Sequence, residues 1–381
     1  MNVYLDYNGS APLSSGVEKF LKTRIDNKGP YANPEANHYL GFKCNMGIEK
    51  TRGIVAKYFN QDKSKVFFNS GATEGISSVF NHVWHKNKNN STPNKIVLSD
   101  IEHSAVLNAA RFLEENENFE IIKLNVSTSG QVDTNHLEEI LKTEGTNIKL
   151  ACVMAANNET GVIQPIEKVS SLCLSMNIPY FCDATQIVGK ETRDFSEIKA
   201  DFICCSGHKI GALPGVGALI IDNPVDFIPL IIGGKQENGV RGGTQNYIGI
   251  ETLGIAFSEI EEKISFKKNI EKKRDEFESE LKRLFPNLII FGENAPRVCN
   301  TSYFSIQNFD KGFIQSMLER NKIFTTTGSA CSDKADSYSS VLKSMGYNQD
   351  QAKGAIRLSC EMKEEVNCFT HALNALKENI H

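Results

Sequence analysis

Short apolar runs recur along this chain, each closed by a polar or glycine-bearing turn and most followed by a helical pattern. Val66-Phe67-Phe68, Lys95-Ile96-Val97-Leu98, Ile121-Ile122-Lys123-Leu124 and Leu150-Ala151-Cys152-Val153-Met154 are four of them. Pro179-Tyr180-Phe181-Cys182, Phe202-Ile203 and Ala218-Leu219-Ile220-Ile221 continue the series. Runs this short and this apolar read as buried strands, and helical segments between them are the crossovers that parallel strands need. The alternation predicts an α/β fold, with ligand-binding groups at the strand ends.

The turn that carries most chemistry is Cys204-Cys205-Ser206-Gly207-His208-Lys209. It follows one buried strand and leads through the Gly-rich Ile210–Gly217 segment into the next, so Lys209 sits in a turn between two strands. Ser206 and His208 can donate hydrogen bonds there, and Gly207 lets a ligand approach the backbone closely. A lysine so placed suits an aldehyde cofactor held as a Schiff base. A solvated loop lysine is the competing reading.

Other turns add to the first. Asn69-Ser70-Gly71-Ala72-Thr73-Glu74-Gly75 joins a strand to a helix N-terminus, the geometry of a phosphate cradle or of a simple capping turn. His103 stands where a strand gives way to a helix, as a cap or as a ligand-facing ring. Asn157 and Asn158 end the strand before Glu159-Thr160-Gly161, and buried amides there need partners. Asp183 directly follows a buried strand; a cation such as a protonated pyridine nitrogen would keep it ionised, while an Asx turn would use it locally. The Gly-dense loop 233–246 carries Arg241 and Thr244 within reach of an anion. A long charged helix is predicted from about Ile250 to Leu284, a domain connector. Beyond Asn287 come short strands and helices, and a polar run of small residues, 325–339, holds Cys331. A cysteine in an exposed loop is a chemical liability, which favours a reactive role.

With 381 residues the chain suits one large domain and a smaller one. Its net charge of −4 shows no global nucleic-acid footprint, so no direct nucleic-acid binding is expected. No secretory signal and no membrane-length apolar run is visible, and a cytoplasmic protein is expected. The ten cysteines include no C-x-x-C pair, and His82 and His85 lack further ligands at suitable spacing, so no metal site is expected.

The ordered set Ser70–Glu74, Glu102-His103, Asn157–Gly161, Asp183–Gln186, Ser206–Lys209, Arg241–Thr244, Gly328–Cys331 and Ile356–Ser359 resembles the cysteine desulfurases of the NifS/IscS type. These are pyridoxal-phosphate enzymes of the class V aminotransferase family, and the resemblance runs from Tyr4 to Ser359. It implies the pyridoxal-phosphate fold type I, with a large domain built on a mainly parallel seven-stranded sheet flanked by helices and a small α+β domain. The implied division is 16–250 for the large domain and 1–15 with 251–381 for the small one. The long segment around Cys331 resembles the group with an extended mobile cysteine loop.

Roles follow from the resemblance. Lys209 would bind the cofactor covalently, Asp183 would pair with its ring nitrogen, Gln186 would bond its phenolic oxygen, and Asn158 would lie nearby. His103 would stack on the ring and shuttle protons. Ala72, Thr73, Ser206 and His208 would hold the phosphate, with Thr244 reaching in from the second subunit of a homodimer. Arg357, helped by Asn33, would bind the carboxylate of L-cysteine. Lys209 would remove the α-proton and the Cys331 thiolate would attack the substrate sulfur, giving alanine and a persulfide for a sulfur-acceptor protein. The chain departs from the family at Asn8-Gly9-Ser10, Ala32 and Leu213-Pro214-Gly215. Lys209-Ile210-Gly211-Ala212 resembles desulfurases dedicated to DNA phosphorothioate modification; iron–sulfur assembly and tRNA thiolation are the other implied uses. A selenocysteine lyase, another class V enzyme and a non-catalytic scaffold of the same fold are the competing readings, and Cys331 argues against a transaminase and a scaffold alike.

Overall fold

A computed structural model describes residues 2–328, 338–364 and 367–380. Seven strands form the main sheet in the spatial order Val66–Asn69, Gly217–Ile221, Phe202–Ser206, Tyr180–Asp183, Ile148–Cys152, Asn94–Ser99, Phe119–Leu124. The last five of these pair in parallel. Gly217–Ile221 runs antiparallel to both its neighbours. The reason lies in the connection. Between Phe202–Ser206 and Gly217–Ile221 there is only a single short turn, Gly207–Lys209, and no crossover helix, so the chain must fold straight back. Lys209 therefore stands on a reversal inside the sheet, whereas the other turns lead out to helices.

Side chains alternate across the sheet with period two. Ile203 and Cys205 join a core on one face, and Phe202 and Cys204 join a core on the other. Helices Ser15–Asp26, Tyr39–Tyr58, Thr134–Glu144, Ile166–Ser175 and Tyr247–Ser258 cover the first face, and Ala72–Asn87 and Ser104–Asn116 the second. A separate core gathers Leu5 with apolar residues from Ile270 to Ile380 around the three-stranded sheet Leu288–Ile290, Thr301–Ile306, Ala355–Ser359. The N-terminal strand Val3–Tyr4 pairs with Ile323–Phe324 and hands the chain on to a bridge between Asp6 and Ser359.

The single helix expected over 250–284 is three segments, Tyr247–Ser258, Ile260–Ser265 and Lys267–Leu284. The backbone relaxes to ψ near zero at Glu259 and Phe266. At the first break the Glu259 carboxylate turns to accept from Gly16 N at 2.9 Å. At the second, Phe266 packs against the separate core.

A buried ion pair fixes the Gly-dense loop to the sheet. Arg52 meets Glu237 through two hydrogen bonds of 2.8 and 3.0 Å, and the same carboxylate accepts from Phe68 N at 2.8 Å. Arg52 also donates to Val66 O at 2.6 Å. Glu237 is held at φ +47, a conformation that costs a non-glycine residue and persists because these bonds over-determine it. Truncating one partner strands the other charge in the interior. Glu237→Ala is thus expected to lower unfolding stability by about 3–5 kcal/mol, read by urea unfolding of the cofactor-free protein.

Candidate active site

The parallel strands deliver their C-terminal ends to one edge of the sheet. There Ser99, Cys152, Asp183 and Ser206 give way to the turns that the sequence marks as chemical. A cavity of about 360 Å3 opens at this edge.

One end of the cavity is the turn Ser70–Glu74 with Ser206 and His208. Register explains their proximity: Asn69 and Ser206 both lie opposite Gly217. A Cβ at Gly217 would stand 2.6 Å from Cys205 O and 2.7 Å from Gly71 Cα, so only glycine lets the two turns meet. Gly71, at φ +146, starts the helix Ala72–Asn87 and gives it no side-chain cap. Its first N–H groups therefore face the cavity as anion donors, with the positive end of the helix dipole behind them. His208 contacts Ser10 Oγ at 3.2 Å, and burial together with the neighbouring Lys209 lowers its pKa to about 4. It serves as a neutral hydrogen-bonding ring.

Asp183, His103, Gln186 and Asn158 line the middle. One Asp183 oxygen accepts from Thr185 N at 2.9 Å, so the local Asx turn is present alongside the cavity-facing position. The buried Thr185 hydroxyl has no partner among the described residues. His103 caps the helix Ser104–Asn116 through Nδ1, which accepts from Ala105 N at 3.1 Å, and this fixes the ring at the cavity wall. Lys209 closes the far side, its Nζ donating to Asn8 O at 2.8 Å and Gly9 O at 2.6 Å.

Glu102 lies behind this wall. Its Oε1 accepts from Ser99 Oγ and Met154 N, while Oε2 has no partner among the described residues. Burial is the main cause that pushes its pKa up to about 8, and the nearby Asp183 adds to the rise. With Glu102 protonated near neutral pH, Asp183 faces no second charge from it.

The set fits pyridoxal phosphate. An uncapped helix N-terminus suits a phosphate, a buried carboxylate suits a cationic ring nitrogen, an unpartnered hydroxyl awaits a polar group, and a lysine amine sits within the same cavity. Ala72, Thr73, His103, Asn158, Asp183, Gln186, Ser206, His208 and Lys209 all line it. Three expected residues do not. Asn33 is exposed and bonds Glu35 N, Thr244 is exposed, and Arg357 lies buried outside the lining, donating to Asn158 O at 2.8 Å and to Asp6 Oδ1. Cys331 lies outside the described residues.

Two residues that sequence reasoning missed hold the site together. Asn8, 1% exposed, accepts from Lys209 and Gln186 through its carbonyl and from Lys190 through its side chain. Lys190, 4% exposed, donates to both Asn8 Oδ1 and Gln186 Oε1. A lysine placed straight after the apolar Ile187-Val188-Gly189, one helical turn beyond Gln186, was the available signal.

Residues 3–367 match the family described as "Aminotransferase class-V". The chain belongs to that family, and like its members it is a pyridoxal-phosphate-dependent enzyme. Within the family it is similar to the cysteine desulfurases. "Cysteine desulfurase IscS" of Dictyoglomus turgidum is 32% identical, over 99% of this chain and 95% of the relative. A solved structure described as "NIFS-LIKE PROTEIN" superposes with a TM-score of 0.89 at 30% identity, covering 99% of both chains. Another, "SspA in complex with cysteine", gives a TM-score of 0.82 at 26% identity over 95% of this chain and 100% of its own.

The Glu102 proton has a consequence for stability. The folded chain retains a proton that the unfolded chain releases near the ordinary value of 4.5. Stability from this group is therefore full below the unfolded pKa and is lost as pH rises through about 8. Glu102→Gln is expected to remove a slope of up to about 1.4 kcal/mol per pH unit in that window, seen as a flatter Tm-versus-pH curve for the cofactor-free protein.

Proposed function

We propose that this enzyme is a cysteine desulfurase that converts L-cysteine to L-alanine and takes the sulfur onto Cys331 as a persulfide. The observation that carries this reading is the meeting of Lys209, Asp183 and the uncapped helix N-terminus in one cavity, on a chain similar to cysteine desulfurases throughout its length.

When bound, pyridoxal phosphate supplies the electron sink that lets the α-proton of an amino acid leave. The residues of this chain do the rest. Ala72, Thr73, Ser206 and His208 would hold the phosphate, and Asp183 would keep the ring nitrogen cationic. Gln186 and Asn158 would face the ring's oxygen side, and His103 would cover the ring. Lys209 Nζ would anchor the cofactor and then carry the α-proton. Arg357, with Asn33, receives the substrate carboxylate. Its Nε is buried with no partner among the described residues, which leaves a donor for that anion, and its other nitrogens are fixed by Asn158 and Asp6. The Cys331 thiolate bonds the substrate sulfur as the substrate's C–S bond breaks. The carbon is reduced to the methyl of alanine and the two sulfurs share the oxidation, so no outside oxidant is needed.

Further assignments belong to the same reading. The exposure of Thr244 suits a residue that serves the site of a second copy in a homodimer. We propose a large domain at 16–250 and a small one at 1–15 with 251–381; the separate core of Leu5 with apolar residues from Ile270 to Ile380 favours a small domain, while Leu253, Ala256, Phe257 and Ile260 pack in the main core and join the large one. Among the described residues no helix is long and apolar enough to cross a membrane, and a cytoplasmic site of action is proposed. The persulfide passes to an acceptor protein of iron–sulfur assembly, tRNA thiolation or DNA phosphorothioate modification. The run Lys209-Ile210-Gly211-Ala212 is the sequence feature that favours the last.

Intact-mass analysis after brief exposure to L-cysteine without reductant, with alanine assayed in parallel, tests the reading. One added sulfur mapped to Cys331, with alanine formed, is expected. Alanine without a persulfide would mean direct sulfur release, as in a lyase; neither product from cofactor-loaded protein would point to a scaffold or another substrate. Cys331→Ser should keep the cofactor's colour yet gain no sulfur, and sulfur gained by this variant at another residue would refute the nucleophile. Lys209→Ala should lose the covalent cofactor linkage and at least about a thousandfold in alanine formation.

A further inference from the structure

Lys190 is buried among amides. Its Nζ lies 2.8 Å from Asn8 Oδ1 and also donates to Gln186 Oε1. Among the described residues it forms no ion pair with a carboxylate. Burial lowers its pKa well below the usual lysine value, with Lys209 and Arg357 adding to the fall and the thiols of Cys299 and Cys360 opposing it. A lysine buried without a carboxylate is costly, so its retention needs a reason.

Carboxamides supply one. The oxygen and nitrogen of Asn or Gln are nearly equal in size, and only the surrounding donors and acceptors decide which way the group points. The Lys190 amine donates to both carboxamide oxygens and so turns both of them towards itself. The Asn8 Nδ2 group is thereby turned to Asn158 O at 3.2 Å and Thr301 Oγ1 at 2.9 Å. Gln186 Nε2 is likewise turned to Asn8 O at 3.0 Å, the same carbonyl that receives Lys209 Nζ. Gln186 also lines the cofactor cavity.

We propose that Lys190 is a positioning residue: it holds the Gln186 carboxamide with its oxygen turned to Lys190 and its N–H donors turned to the Lys209 side of the cavity, where they meet the cofactor's ring oxygen. The inference rests on the pyridoxal-phosphate reading of the site. Gln186 donates to the ring oxygen only in this orientation. Reversed, it would present an oxygen to an oxygen. A donor at the ring oxygen stabilises its anionic form and makes the adjoining lysine–cofactor link easier to deprotonate. Loss of Lys190 therefore raises the pH at which that link titrates, because Gln186 no longer presents its donor to the ring oxygen.

The test is a visible-absorbance pH titration of the pyridoxal-phosphate-loaded enzyme, with cofactor affinity measured by fluorescence quenching. Wild type comes first: failure to take up the cofactor would overturn the reading of the site itself. Lys190→Met keeps the length and apolar stem of the side chain. It is expected to raise the titration midpoint by about one pH unit and to weaken cofactor binding by about tenfold. A purely structural lysine would lower the Tm of the cofactor-free protein and leave the midpoint where it was; that result overturns the proposal. Gln186→Met gives an independent measurement if Lys190→Met does not fold. It should shift the midpoint in the same direction, and no shift would overturn the proposal. Where both variants fold, the double variant should shift no further than the larger single one, and full additivity would refute action through Gln186.

Discussion

One buried carboxamide ties the site to the rest of the molecule. Asn8 donates and accepts through every polar atom it has. Its N–H donates to Ser359 Oγ, its side-chain nitrogen to Asn158 O and Thr301 Oγ1, and its two oxygens accept from Lys190, Gln186 and Lys209. These partners come from the ends of the main sheet and from the three-stranded sheet beyond it. A fully satisfied polar network in a low-dielectric interior is rigid and specific, because any rearrangement strands a donor or acceptor at full desolvation cost. The N-terminal segment thus acts as the clamp between the lysine turn and the strand of Arg357.

That clamp explains which parts of the site could be read along the chain. Lys209, Asp183 and the Ser70–Glu74 turn each follow an apolar strand directly, so the local pattern gives away their place at a strand end. The sheet was legible for the same reason, and even the reversal after Phe202–Ser206 is implied by a connection too short for a helix. Asn8 carries no such mark: its side-chain and carbonyl bonds cross 150 residues or more, and it stands in a segment that otherwise reads as a departure from the family's usual run. The local bond of Lys190 to Gln186 shows its meaning only through its distant partner Asn8. Likewise nothing local in 250–284 shows that the Glu259 carboxylate turns to Gly16 or that Phe266 packs into the separate core, and those contacts accompany the breaks in an otherwise continuous helical pattern. The alternative readings of single residues also prove less exclusive than they look. Asp183 closes an Asx turn and His103 caps a helix, and in each case the capping bond is what holds the side chain at the cavity wall.

The charges of the site show why it is built to be completed. Lys190, Lys209 and Arg357 converge on the Asn8 network, while burial pushes Glu102, Glu159 and Lys190 alike towards their neutral forms. Asp6 is already paired with Arg357. A helix N-terminus adds the positive end of its dipole at the same sheet edge. A cofactor phosphate suits that dipole, and the Thr185 hydroxyl and Arg357 Nε are buried donors without a partner among the described residues. Binding therefore does more than add contacts. It satisfies buried donors that lack partners among the described residues, so the folded state gains stability as ligand occupancy rises.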